Sequence, residues 1–186
     1  ARSALDELLA NPETAGDVRA VALDAVELPG EARPTPRDGE SLAEAEALLA
    51  ALPEGPQAIP ALHAALGRLP ASGTRPRAAR LGLRLHQALA ARDSRIALYD
   101  LRERLEARPA RDAVGLLEVV ARIADATFVA TLARLASDVM PLVPACAEAL
   151  RAIAARERLK KSHRAVKAVR PEHRAAFEAL WARAKR

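Results

Sequence analysis

Apolar side chains recur at steps of three and four through residues 112–153. They stand at Leu117, Val120 and Ile123, at Val129, Leu132 and Leu135, and at Leu142, Cys146, Leu150 and Ile153. That spacing places each set on one face of an α-helix. The phase slips at Asp125-Ala126-Thr127 and again at Asp138-Val139-Met140-Pro141, and each break carries an Asp suited to capping the next helix. The pattern predicts three short antiparallel helices, each apolar on one side and each dependent on neighbours to cover that side.

The same spacing extends outward. Ser3 opens a short helix through Leu8 and Leu9, ended by Asn11-Pro12, and residues 17–26 set Val18, Val21, Ala22, Ala25 and Val26 on one side. Residues 29–40 hold three Pro, two Gly and five charges, which predicts a long surface loop. Ser41, with Glu44 three residues on, reads as a capping box opening the next helix. Beyond the turn at Pro53–Pro56, Ile59, Leu62, Leu66 and Leu69 run in phase, with Pro60 tolerable only in the first turn. A second loop, 70–76, leads to a helix over 77–91 carrying Leu81, Leu85 and Leu89. Asp93 or Ser94 starts another, with Ala97, Leu98, Leu101 and Leu105 inward, closed by Pro109. The helix holding Ile153 is expected to continue through residues 154–170. After a break at Pro171, Phe177, Leu180 and Trp181 form a last apolar stripe. About eleven helices and no strand result, and beyond Pro70 a pair of helices takes about 33 residues, the period of a helical repeat array.

Two stretches carry a family likeness. Ile123-Ala-Asp-Ala-Thr-Phe-Val129, with Leu132, Leu135 and Asp138, followed by Leu142, Cys146, Ala149, Leu150 and Ile153, resembles a HEAT-type repeat. Gly16-Asp17-Val18-Arg19 through Val26 is similar to the start of that repeat's second helix, and residues 58–66 are similar to a first helix. Val143 stands where the repeat usually has Arg, and the 29–40 segment interrupts the array. The resemblance, over residues 3–27 and 56–158, implies an all-α solenoid of about five stacked antiparallel helix pairs. The whole of residues 1–186 would form one HEAT-like domain, its basic end (151–186) acting as capping helices.

Composition narrows the picture. Aromatics make up 2% of the 186 residues, and Ala supplies much of the 51% apolar content, so slim, closely packed helices are expected rather than one thick core. One Cys excludes an internal disulfide and any multi-thiolate metal site, and Cys146 falls on the inward face as a small hydrophobe. No apolar run reaches the length of a membrane span, so no membrane partner and a cytoplasmic setting are expected. Charge is uneven: residues 151–186 carry 12 Lys or Arg against three Glu, a net +9, which leaves −4 on the other 150 residues of a chain at +5 overall.

Chemistry is sparse. Phosphate-loop, dinucleotide and nucleophile-elbow patterns are absent. His63, His86, His163 and His173 form no i, i+4 pair beside an acid, so no metal site, cofactor or catalytic set is expected. Tyr99-Asp100, among Arg92, Arg95, Arg102 and Arg104, reads as a network between adjacent helices or a polar cluster on a concave face. On the expected long tail helix, Arg156, Lys160, Arg164 and Lys167 follow 4, 4, 3 spacing and form one cationic stripe.

The expected role is a non-catalytic protein–protein interaction scaffold. Nucleic-acid binding through Arg156, Lys160, Arg164 and Lys167 is the alternative. HEAT-like arrays also include alkylpurine DNA glycosylases and bilin lyases, so the resemblance leaves an enzyme open. The four aromatics here, Tyr99, Phe128, Phe177 and Trp181, are few for either site.

Overall fold

The computed structural model describes residues 36–69, 76–107 and 112–185, all of it helix and turn. Nine helices lie among them: α1 (Pro36–Ala50), α2 (Ile59–Arg68), α3 (Pro76–Ala91), α4 (Leu98–Ala107), α5 (Ala113–Ile123), α6 (Val129–Asp138), α7 (Val143–Arg156), α8 (Arg164–Lys167) and α9 (Arg174–Ala184). The helices expected within residues 3–27 lie outside the described residues.

The central stretch folds as its spacing predicts, into α5, α6 and α7. All ten of its apolar positions, from Leu117 to Ile153, are buried. Asp125 caps as expected: its carboxylate accepts the Thr127 N–H at 2.8 Å and opens a 3-10 turn, Ala126–Phe128, that leads into α6. Asp138 does not cap. It is the exposed last residue of α6, and the next turn runs Met140–Leu142 from Val139, with Pro141 in its second position, where proline's missing N–H needs no partner.

Helix ends account for the other corrections. Residues 36–40 of the expected 29–40 loop are the first turn of α1, and 29–35 lie outside the described residues. Proline at the first position needs no N–H partner and presets φ, and one Gly in that turn costs only about 1 kcal/mol. Ser41 therefore sits inside α1 rather than at its cap. Glu44 reaches Arg68 of α2 at 3.0 Å instead of its own helix start. Pro76, expected in the second loop, begins α3. Asp93 does not open α4. At φ 52° it closes α3, where the Asp93 and Ser94 N–H groups bond the Ala90 and Leu89 carbonyls in a Schellman motif.

The odd-numbered helices neighbour one another in chain order: α1 packs on α3, α3 on α5, α5 on α7 and α7 on α9. Even-numbered helices lie against them, α2 on α1 and α3, α4 on α5, and α6 on α7 and α9. The core forms two clusters that follow one another along the chain. One spans Leu42 to Ala97, the other Ala90 to Trp181. Gly115 allows the close approach of α5 to α3, since a Cβ there would stand 2.8 Å from Leu83.

Arginines at the ends of the odd helices tie the layers. Arg92, just past α3, donates to the Pro53 and Gly55 carbonyls just past α1, at 2.7 and 2.9 Å. Arg122, in the last turn of α5, donates to Ala91 at the end of α3. Arg156, closing α7, donates to the Ala121, Arg122 and Ala124 carbonyls at the end of α5. The C-terminal ends of α3, α5 and α7 thus lie side by side, so these three helices run parallel, and α3 ends against the turn that follows α1. Arg122 and Arg156 meet carbonyls that lack an intrahelical partner, at the negative end of a helix dipole, whereas Arg92 meets the turn between α1 and α2.

Candidate functional site

The basic segment beyond α7 is not the single long helix expected. α7 stops at Arg156, because Arg158 takes a left-handed φ of 51° and the Leu159 N–H turns back to the Ala154 carbonyl. Leu159 is buried, as are Val166 and Val169 farther on, so the segment is pinned to the core on its apolar side. Between them His163 caps α8, its Nδ1 accepting the Ala165 N–H at 3.2 Å. α8 and the turn Pro171–His173 lie across α6.

The expected stripe of Arg156, Lys160, Arg164 and Lys167 is therefore broken. Arg156 is engaged in capping α5, Lys160 sits in a turn, and only Arg164 and Lys167 share a helix. The surface instead presents exposed Arg158, Lys160, Arg164 and Lys167, none with an ion-pair partner among the described residues. Their neighbours differ. Lys161 pairs with Glu178 of α9, Arg170 with Glu172 at 3.8 Å, and Arg174 donates to the Val166 carbonyl at 2.8 Å. Arg158 was not among the residues singled out from sequence, since its place depends on a left-handed turn made without glycine.

The Asp100 cluster is a tie between helices. Asp100 Oδ2 accepts from Arg104 Nε at 2.6 Å and meets His86 Nε2 at 2.8 Å, joining α4 to α3. Gly82 leaves the space Arg104 occupies, for a Cβ there would lie 2.5 Å from the guanidinium. Burial lowers the pKa of His86 more than its bond to Asp100 raises it, so the imidazole is neutral and donates Nε2–H to the carboxylate. Burial alone would raise the Asp100 pKa, but the His86 and Arg104 hydrogen bonds and the Arg104 charge hold it below the usual value. Arg102 turns elsewhere, donating to Thr127 Oγ1 at 2.5 Å and lying over the Phe128 ring. Tyr99 is exposed and apart from this network.

Cys146 is fully enclosed, and burial pushes its thiol to about 12, so no thiolate forms near neutral pH. Phe177 and Trp181 are buried against each other, ring centroids 5.6 Å apart, and close the core at α9. Among the described residues no group of three His, Cys, Asp or Glu is placed to hold a metal ion, and no helix is long and apolar enough to cross a membrane. Comparison with protein-family models, with curated proteins and with solved structures gave no match.

Proposed function

We propose that the chain is a HEAT-like α-solenoid serving as a non-catalytic scaffold for a protein partner. The observation that carries this reading is the arginine series: Arg122 and Arg156 each bond the end of the preceding odd helix, and Arg92 bonds the turn just past α1. A tie repeated between successive helix pairs agrees with a repeat array, in which each unit contacts its neighbours, and stacked helix pairs build an extended surface that binds without any reactive group. Two further observations agree with a non-catalytic role. His86 is buried and committed to Asp100, and Cys146 is buried and protonated.

Capture from native extract with the purified chain as bait, with and without nuclease, tests this. A protein retained at a fixed ratio after nuclease, and rebinding once purified, supports the scaffold. Retention lost on nuclease treatment favours nucleic-acid binding, the second reading, for which the uncompensated Arg158, Lys160, Arg164 and Lys167 speak.

A further inference from the structure

The geometry points to the surface of Arg158, Lys160, Arg164 and Lys167 as the docking site for a short acidic run, several Asp or Glu in sequence, on the partner protein. This deepens the scaffold reading and rests on it. Four exposed cations fall within ten residues, 158–167, without a carboxylate among the described residues. The segment beneath them is already ordered: buried Leu159, Val166 and Val169 fix it from below, and the Arg158 turn and the His163 cap fix its path. A partner therefore meets a backbone already fixed and has only the side chains of the four cations to order.

Carboxylate is the ligand that this face already takes within the chain. Lys161, between Lys160 and Arg164, holds Glu178, and Arg170, three residues beyond Lys167, holds Glu172. A nucleic acid is served less well. Trp181 and Phe177 of the adjacent α9 are buried and offer no ring for a base to stack on. The 150 residues before this region carry a net −4, which repels a polyanion long enough to leave the patch, whereas a short acidic segment ends within it.

Fluorescence anisotropy with a labelled peptide of eight Glu, a 20-base-pair duplex and a 20-nucleotide RNA, each at 50 and 150 mM salt, tests the assignment. The peptide is expected to bind, more weakly at the higher salt, and in preference to both nucleic acids. Lys160→Glu, Arg164→Glu and Lys167→Glu together should weaken it about tenfold or more, the loss of several exposed charge pairs. Lys160→Arg, Arg164→Lys and Lys167→Arg together should bind as the wild type does, and both triple variants should keep the wild-type melting point. Peptide binding that survives the three-Glu variant, or is absent at 50 mM salt, overturns the site. Tighter binding of duplex or RNA, lost in that variant, overturns the class of partner. A captured protein that still binds the three-Glu variant leaves the scaffold standing and removes only this surface.

Discussion

Leu132 and Leu150 show how single residues hold this fold. Each is completely enclosed, Leu132 in α6 and Leu150 in α7, two helices that pack on each other and on α9. Leu132→Ala or Leu150→Ala should each cost about 2–5 kcal/mol in urea denaturation, and an unchanged midpoint in both would contradict the packing. His86 gives a pH dependence. Its folded pKa lies below the ordinary 6.5, so on acidification the unfolded chain takes up the proton first. Stability should fall as pH drops below about 6.5, and fall further as Asp100, also depressed, approaches protonation. His86→Gln should flatten the first part of that fall while leaving the Asp100 part, which lies mainly below the ordinary carboxylate value of 3.8, as melting points from pH 7.5 down to about 2.5 would show. At Arg158 the left-handed φ strains any side chain. Arg158→Gly should therefore raise stability by about 0.5–1 kcal/mol. A loss would mean that its side chain matters more than its backbone.

Among elements, the sequence disclosed apolar faces better than helix ends. The spacing from Leu117 to Ile153 located α5, α6 and α7 and the centre of each inward face, because a period of three and four leaves one face to bury, but it did not single out the flanking buried positions Leu116, Val119, Thr131 and Ala136. Ends depended on partners that spacing does not show. α7 stops at a left-handed Arg rather than the Gly that usually marks such a stop, so the basic tail reads as continuous helix until its backbone is seen. For the same reason the candidate site was legible only in part. Lys160, Arg164 and Lys167 are exposed cations, as their charge suggests, whereas Arg156 is occupied by carbonyls more than thirty residues earlier in the chain. The arginine ties can be tested directly. Arg156→Met keeps much of the side chain's apolar length and removes three donated bonds. It should cost about 1–2 kcal/mol, toward the low end for a charged donor because water can replace it at an exposed site. Loss below about 0.3 kcal/mol would show that the contact contributes nothing to joining α7 to α5.

At the scale of the whole molecule, the two successive core clusters and the side-by-side odd helices are what a one-dimensional array of helix pairs would produce. In such an array each layer is stabilised by its neighbours only, so stability varies along the chain. The layers of α5, α6 and α7, covered on both sides and joined to α9, should be the most resistant. α1 and α2, which belong to the smaller cluster, should open more readily. Residue-resolved native-state hydrogen exchange reads this directly. A repeat array predicts amides of 113–153 exchanging only through the highest-energy opening, with a separate, lower-energy opening for 41–69. One opening free energy shared by both regions would contradict it, and would describe a single cooperative globule instead.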